Sequence, residues 1–274
     1  MIEFPNAKIN LGLNILNKRS DGFHNIQTVL LPIGLCDALE IIPATQENII
    51  HFSNSGLPVP LDGKPNLCIR AFELLQKEFG LPGINIHLHK KIPTGSGLGG
   101  GSSNAAFTLK MVNKTFALNI NNIILMQMAA SLGSDCPFFI ENKPMLANGR
   151  GEILEPIEIP LTGMNLVLIK ADIHIGTAEA YANVKPAFPK KSIAQILEQP
   201  IDTWKHELKN DFETNVFERF PLLKKIKENL YSQGAEYAAM TGSGSAIFGL
   251  FKTLPQTNQS ELYPAFFVWQ QLLG

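Results

Sequence analysis

The sequence predicts an α+β fold made of two domains. Segments with the alternating period of strands and segments with the helical period are mixed without regular alternation, and a glycine-rich segment stands in mid-chain. Together these observations favour α+β over a doubly wound parallel sheet. A turn-rich stretch, NGRGEILEPIEIP, predicts a boundary near residue 155, which gives domains 1–155 and 156–274. The 274 residues, 45% of them hydrophobic, are enough for two modest cores.

The first half of the chain predicts two strand and helix pairs. AKINLGLNIL alternates as a half-buried strand whose polar face carries Lys8 and Asn10, and NLCIRAFELLQKEFG has helical spacing with Asn66 as N-cap and Gly80 past its end. INIHLHKKI alternates again, and NAAFTLKMVNKTFAL repeats the helical spacing. The glycine-rich segment separates these last two, so the local order is strand, glycine loop, helix.

The rest of the chain continues the mixed pattern. A helix is expected from about Ile123 to Leu132, NLVLIKA reads as an apolar strand, and PLLKKIKENLYSQGA predicts a helix with Leu223, Ile226 and Leu230 inward. YAAMTGSGSAIFGLF predicts two strands around a second glycine turn.

Composition excludes several classes of function. With 23 basic and 24 acidic residues the net charge is −1, and no basic stripe appears, so nucleic acid is not an expected partner. Three widely spaced cysteines without a CxxC pair argue against a disulfide framework and a zinc site. No apolar run reaches the ~18 residues of a membrane span, and the N-terminus lacks the pattern of a signal peptide. We therefore expect a cytoplasmic protein without a membrane partner, and the sequence leaves its protein partners open.

The glycine-rich segment KIPTGSGLGGGSSNAAF is the most informative stretch. Five of the seven residues from Gly95 to Gly101 are glycine. A backbone without Cβ atoms allows N–H groups to approach a ligand, and the helix that follows adds its positive N-terminal end, so the arrangement suits a phosphate better than it suits a flexible linker.

Known phosphate loops can be compared letter by letter with this segment. The segment does not match a Walker loop, because that pattern requires a lysine directly after the glycines and the first lysine here is Lys110. GxGxxG is satisfied literally, but no acidic residue occurs between Glu78 and Asp135 to bind a ribose hydroxyl, and the HRD and DFG motifs of protein kinases are absent. What remains is a glycine- and serine-rich nucleotide loop. Its expected ATP-binding residues are Pro93, Thr94, Gly95, Ser96, Gly97, Leu98, Gly99, Gly100, Gly101, Ser102 and Ser103.

Three segments resemble the motifs of the GHMP kinases, the small-molecule kinases named for galactose, homoserine, mevalonate and phosphomevalonate. PTGSGLGGGSSNAA is similar to their second motif, and FPNAKINLGLNIL and MTGSGSAIFGLF are similar to the first and third, in order across nearly the whole chain. RSDGFHNIQTVLLPIGLCDALEI, GSDCPFF and NGRGE resemble the branch that acts on a cytidine diphosphate-linked methylerythritol.

The resemblance implies a fold and a reaction. It implies an N-terminal ATP-binding domain, a C-terminal α/β sandwich domain and an active site in the cleft between them. The implied reaction moves the ATP γ-phosphate to the 2-hydroxyl of the methylerythritol unit, a step of the non-mevalonate route to isoprenoids. Mg²⁺ is expected only as the ion that ATP brings, because its preference for oxygen and water ligands makes a protein cage unnecessary.

The resemblance also assigns roles to a catalytic pair. Asp135 is implied to be the base that accepts the proton of the substrate hydroxyl, although an aspartate after a helix is ordinarily structural. Lys8 is implied to lie beside it, where a cation would lower the pKa of the base and stabilise charge on the attacking oxygen, although a lone strand lysine is ordinarily solvated. Asn10 faces the same side and is expected to orient the same group.

A second set of residues is implied to bind the substrate. Phe23 would stack on the cytosine and His24 would bond its polar edge, with Tyr181 as a second aromatic wall and Thr177 nearby; local packing is the plainer alternative for the first two. The glycine turn is expected to approach the nucleotide and the substrate, although its flanks also fit a simple hairpin. Its expected substrate-binding residues are Thr241, Gly242 and Ser243.

Other interpretations remain open on the sequence alone. His87 and His89 form an HxH pattern, but without a third ligand they are expected to be surface histidines. The chain could be a related kinase that acts on mevalonate or homoserine, and such a kinase would not require a cytidine group on its substrate. It could also be a catalytically inactive nucleotide-binding protein with a regulatory role. The joint presence of Lys8 and Asp135 argues against this interpretation.

Overall fold

The computed structural model of the 274-residue chain describes residues 1–44, 49–59, 63, 65–182 and 184–274. Its strands are β1 (Ile2–Glu3), β2 (Asn6–Lys18), β3 (His24–Cys36), β4 (Ala38–Pro43), β5 (Ile50–Gly56), β6 (Ile84–Lys90), β7 (Met145–Asn148), β8 (Ile153–Pro156), β9 (Asn165–Lys170), β10 (Tyr237–Met240), β11 (Ala246–Phe251) and β12 (Phe267–Leu272). Its helices are α1 (Leu67–Phe79), α2 (Gly100–Thr115), α3 (Asn122–Leu132), α4 (Phe138–Glu141), α5 (Thr177–Tyr181), α6 (Ile193–Leu197), α7 (Ile201–Glu207), α8 (Glu213–Arg219), α9 (Pro221–Ser232) and α10 (Gln259–Leu262). This mixture confirms the predicted α+β class.

Two compact units make up the chain, and their segments are interleaved in sequence. The first unit comprises Met1–Lys8, Gly34–Thr94 and Gly99–Lys143. The second unit comprises Ile9–Ile33, Gly95–Leu98 and Pro144–Gly274. The division of the sequence into domains 1–155 and 156–274 stays a prediction.

The first unit is built on the sheet with the strand order β1-β4-β6-β5, in which β5 and β6 are parallel and the other pairs antiparallel. Helices α1 and α2 lie side by side, and α2 contacts β4. The predicted caps of α1 are confirmed: the Cys68 N–H donates to Asn66 Oδ1 at 2.9 Å, and Gly80 ends the helix in the left-handed region at φ 62°. Leu75 and Phe72 on the inner face are fully buried. The burial pattern and the caps therefore both support the predicted helix.

Two local predictions in this part of the sequence need correction. Strand β2 is buried on both faces from Asn6 to Ile15, so its predicted half-burial is wrong. The polar face can be buried because its side chains have partners; Asn10, for example, donates from Nδ2 to Thr28 Oγ1 at 3.0 Å. Helix α2 begins at Gly100, inside the glycine run, four residues before the predicted start at Asn104.

The second unit contains two sheets. One has the order β2-β3-β7-β8, to which β2 contributes from Ile9 onward and β3 up to Ile33. The other is antiparallel throughout, with the order β10-β11-β9-β12. Helix α9 packs on β10 and β11, and the inner residues predicted for it are confirmed. They are Leu223, Ile226 and Leu230, which join the core of this unit.

The helices have a bearing on membrane association. Within the described ranges, the structure contains no helix with the length and apolar character required for a bilayer span. The longest, α2, has 16 residues and includes Lys110.

Candidate active site

A buried cation and an accessible carboxylate meet in the first unit. Lys8, on β2, is only 3% exposed, and its Nζ lies 3.4 Å from Oδ2 of Asp135. Asp135 stands in the turn between α3 and α4, and 38% of its side chain is exposed. The carboxylate can therefore accept a proton from a ligand hydroxyl while the ammonium group stays fixed behind it. The structure thus brings together the two residues of the predicted catalytic pair.

Residues next to this pair limit the chemistry that can occur there. Gly99 has φ +72°, and a Cβ on it would lie 3.0 Å from the ring of Phe139 and 3.2 Å from Cε of Lys8. A side chain on residue 99 would strain the backbone and force Phe139 or Lys8 to shift, so glycine favours the close approach of α2 to the lysine. Burial raises the pKa of the neighbouring Cys136 thiol to about 12, so the thiol is protonated at neutral pH and is not a nucleophile there.

The end of the glycine loop in the first unit provides backbone donors. Helix α2 has Gly99 as its N-cap, with no side-chain hydrogen bond to the first turn. The first N–H groups of a helix have no partner within the helix, so they suit an anion. Ser103 in this turn is fully buried, and its Oγ has no hydrogen-bond partner among the described residues. A buried hydroxyl of this kind can donate a hydrogen bond to a bound phosphate. Its oxygen is also a suitable ligand for the Mg²⁺ that accompanies the phosphate.

The middle of the glycine loop, in the second unit, contacts the second glycine turn. The Ala246 N–H donates to the carbonyl oxygen of Ser96 at 3.1 Å, and Thr241 Oγ1 lies 3.2 Å from the carbonyl oxygen of Gly97. A Cβ on Gly97 would lie 2.0 Å from the carbonyl oxygen of Thr241. At the other side of the loop, the His174 ring would meet a Cβ on Gly95 at 2.4 Å. Glycine is therefore required at Gly97, where the contact is with backbone, whereas a Cβ on Gly95 would displace the exposed His174 ring and strain the backbone at φ +60°.

Asn10 holds the second glycine turn against its own strand. Its backbone N–H donates to Thr241 Oγ1 at 3.0 Å, its Nδ2 donates to Thr28 Oγ1 at 3.0 Å, and its Oδ1 lies 3.1 Å from Thr241 Oγ1. Asn10 and Thr241 are both buried. Gly242 follows with φ +55°, and Ser243 is partly exposed in the same turn. Direct contacts of these residues with a substrate stay predictions.

Aromatic residues of the second unit form a chain of ring contacts. His24 stacks on Tyr181 with centroids 4.9 Å apart and planes at 14°, and Tyr181 meets Phe212 edge to face at 4.8 Å. Phe23 is 51% exposed, and the guanidinium carbon of Arg150 lies 3.9 Å from its ring centroid. The structure thus places His24 and Tyr181, which the resemblance assigned to one site, in direct contact.

The remaining predicted residues are Thr177 and the two histidines His87 and His89. Thr177 begins α5, and its side chain lies outside the described part of the structure. No three His, Cys, Asp or Glu side chains within the described ranges are arranged to hold a metal ion. His87 and His89 instead contact the hydroxyls of Ser53 and Ser55.

The sequence reasoning missed several residues near the predicted sites. Lys90 is buried and paired with Asp37, and no pattern in the sequence indicates this pair. Arg150 lies in the NGRGE stretch, which indicates a turn and a family resemblance but no contact with Phe23, and His174 lies in a stretch without any motif. A buried acid such as Asp37 cannot be recognised in the sequence unless its partner is known. Its partner Lys90 is distant in sequence, so the local pattern does not indicate the pair.

Comparison with known proteins identifies similar sequences over the whole chain. The pattern of the GHMP kinases N terminal domain matches residues 66–143, and that of the GHMP kinases C terminal matches residues 192–261. The 4-diphosphocytidyl-2-C-methyl-D-erythritol kinase of Bacteroides fragilis is 47% identical over 269 residues, which cover 97% of each chain. The protein of the same name from Parabacteroides distasonis is 46% identical over 274 residues, covering 100% of each.

Solved structures show the same likeness in three dimensions. A crystal structure of 4-(cytidine 5'-diphospho)-2C-methyl-D-erythritol kinase matches with a TM-score of 0.84 and 31% identity, covering 98% of each chain. The phosphomevalonate kinase of Streptococcus pneumoniae matches with a TM-score of 0.73 at 13% identity, covering 100% of this chain and 99% of that one. The second likeness shows a shared fold alone.

Proposed function

The chain belongs to the 4-diphosphocytidyl-2-C-methyl-D-erythritol kinases, within the GHMP kinases, and we propose that it transfers the γ-phosphate of ATP to the 2-hydroxyl of 4-diphosphocytidyl-2-C-methyl-D-erythritol. This is a step of the non-mevalonate route to isoprenoid precursors. GHMP kinases are ATP-dependent. The observation that carries the proposal is the pair formed by buried Lys8 and accessible Asp135, 3.4 Å apart.

In this proposal the carboxylate of Asp135 accepts the proton of the 2-hydroxyl as the oxygen attacks the γ-phosphorus. A base must lie within hydrogen-bond reach of the proton, and the exposed side of the Asp135 carboxylate permits that approach. The Lys8 ammonium lies behind the carboxylate, so it stabilises the ionised base and the negative charge that develops on the attacking oxygen.

The glycine loop from Pro93 to Ser103 holds the ATP phosphates in this proposal. Its left-handed glycines allow backbone N–H groups to face the phosphates without interference from Cβ atoms. The first turn of α2 adds donors and the positive end of the helix dipole. Mg²⁺ carried by ATP would neutralise phosphate charge, and the buried Ser103 hydroxyl is the oxygen that would face it or a phosphate.

Cytosine recognition is assigned to the aromatic residues of the second unit. Phe23 offers an exposed ring for stacking, and the His24 ring nitrogens offer a donor and an acceptor for the base edge. Tyr181 supports His24 by stacking on it. The remaining predicted substrate ligands, Asn10 and the turn at Thr241, form one hydrogen-bonded network that fixes the position of that turn.

The proposed function is tested by the choice of phosphate acceptor. Purified protein with Mg·ATP is given, in separate reactions, diphosphocytidyl methylerythritol, the same compound without its cytidine phosphate, mevalonate or homoserine, and ADP release is measured. We expect turnover with the cytidylated compound only. Turnover with mevalonate or homoserine would assign the chain another substrate. Measurable ATP binding with no turnover on any of the four would favour a regulatory protein.

Replacement of Phe23 with alanine should weaken binding of the cytidylated substrate selectively. Stacking on an aromatic ring contributes about 1–3 kcal/mol per base, so we expect the KM for this substrate to rise about tenfold while the KM for ATP stays unchanged. Phe188→Ala is the matched control, because Phe188 is 74% exposed and has no assigned role. Equal KM values for Phe23→Ala and Phe188→Ala would remove Phe23 from the cytosine site.

A further inference from the structure

A buried carboxylate in the first unit is bonded to both ends of the glycine loop. Asp37, only 1% exposed, stands between β3 and β4. Its Oδ1 accepts the backbone N–H groups of Lys91 and Ile92 at 2.7 and 2.8 Å. Its Oδ2 accepts from Lys90 Nζ and, at 2.9 Å, from Asn104 Nδ2. Asn104 Oδ1 also accepts from Lys90 Nζ at 3.2 Å, which closes the cluster.

The positions of these partners in the sequence matter more than their number. Lys91 and Ile92 immediately precede the loop segment Pro93–Ser103, and Asn104 immediately follows it. One carboxylate therefore fixes the residues where the chain enters the loop and the residue where the chain leaves it. The distance between the two ends of a loop restricts the conformations of everything between them.

The cluster also lies against the start of α2. A Cβ on Gly100 would lie 2.9 Å from Cγ2 of Ile92 and 3.2 Å from Nζ of Lys90. A lysine ammonium near a helix N-terminus opposes the helix dipole unless a negative charge accompanies it. Asp37 supplies that charge, so the pair places the Lys90 ammonium beside the first turn of α2 without adding a net charge there.

An ion pair buried to this degree is costly compared with apolar residues of the same volume, so stability alone is a weak reason for it. From these contacts we infer that Asp37 is a positioning residue, which holds the two ends of the glycine loop at the spacing required for binding the phosphates of ATP. The inference rests on the proposed function, since it takes ATP as the ligand of the loop. Asp37 itself touches neither the nucleotide nor the reacting atoms in this inference.

The variant Asp37→Asn tests the inference. The amide keeps an oxygen for the N–H groups of Lys91 and Ile92, but its NH₂ group faces Lys90 Nζ and Asn104 Nδ2, which are both donors. We expect the Kd for Mg·AMPPNP, measured by calorimetry below the melting temperature, to rise about tenfold. The KM for ATP should rise in parallel, and the KM for the cytidylated substrate should stay within about twofold.

Asp211→Asn is the matched control. Asp211 Oδ2 accepts the backbone N–H of Ile15 at 2.7 Å, and burial raises the pKa of this carboxyl group. Asp211 is a carboxylate bonded to backbone, as Asp37 is, although it is only partly buried, and among the described residues none of its bonds reaches the glycine loop. A merely structural role predicts that both variants lower Tm and leave the nucleotide Kd unchanged. The positioning role predicts that only Asp37→Asn weakens nucleotide binding.

A second variant covers the case in which Asp37→Asn does not fold. Asn104→Ala removes the bond at the end of the loop and leaves the Asp37 bonds to Lys90, Lys91 and Ile92, and we expect a Kd increase of about fivefold with a cooperative melt. If every folded variant binds Mg·AMPPNP within about twofold of the unmodified protein, the inference is wrong. If the unmodified protein does not bind Mg·AMPPNP, the proposed function fails first.

Discussion

Replacing Asp135 with asparagine is expected to lower kcat by about 10³-fold while the Kd for Mg·AMPPNP changes by less than about threefold. Asparagine has the same shape and can still accept a hydrogen bond from Lys8, whose Nζ lies 3.4 Å from the carboxylate. Its amide cannot take up the proton of the substrate hydroxyl, so the loss falls on the chemical step. Steady-state ADP release measures the first quantity and calorimetry the second.

A surface aspartate provides the control for Asp135. Asp202 is exposed on α7, so Asp202→Asn changes the net charge by the same amount without affecting the pair with Lys8. We expect full activity in this variant. If Asp135→Asn keeps more than about a tenth of the turnover, another group takes the proton and the role proposed for Asp135 is wrong.

Replacing Gly97 with alanine is expected to reduce ATP affinity by about 100-fold or more. The new Cβ would lie 2.0 Å from the carbonyl oxygen of Thr241 and 3.3 Å from the backbone nitrogen of Gly244, so the loop and the glycine turn cannot keep their contact. Because both neighbours are backbone atoms, no side-chain rotation relieves the overlap. The Kd for Mg·AMPPNP and the KM for ATP measure the effect.

The backbone conformation of Gly97 requires its own control, because φ is +77° and alanine is strained there even without a clash. Gly163 has φ +83°, and a Cβ on it would meet nothing within 4 Å. Gly163→Ala should therefore cost about 1 kcal/mol of stability and leave the ATP affinity unchanged. Similar nucleotide affinities in the two alanine variants would show that contact with Thr241 is unimportant for the loop.

Local patterns in the sequence were sufficient to predict the elements that are determined by residues close together in the chain. The caps of α1 at Asn66 and Gly80 follow from side-chain and backbone chemistry within a few residues. The antiparallel pair of β10 and β11 around its glycine turn is equally local. In each case the residues that determine the structure stand next to one another in the chain, so periodicity and turn chemistry predict them.

The burial of β2 could not be predicted in this way. Its alternating pattern is that of a strand with one solvated face, and only the tertiary structure provides partners such as Thr28 for Asn10. The environment of Asp37 shows the same limit, because Lys90 and Asn104 are 53 and 67 residues away in sequence. Resemblance to a family placed Lys8 with Asp135, whereas composition and spacing alone left both residues as ordinary surface groups.

The interleaving of the two units has a consequence for the order in which the chain is made. Every segment of the first unit lies before residue 144, so its sheet and helices are complete once the ribosome has passed Lys143. The second unit begins at Ile9 but pairs β9 with β12, whose last residue is Leu272. The early strands β2 and β3 can pair with β7 and β8 once Pro156 has emerged, but Ile15 on β2 shares a core with Ile247 and Phe251, so this side chain stays uncovered until nearly the whole sequence has emerged. Synthesis speed and chaperone access can therefore affect the yield of the second unit independently of its final stability.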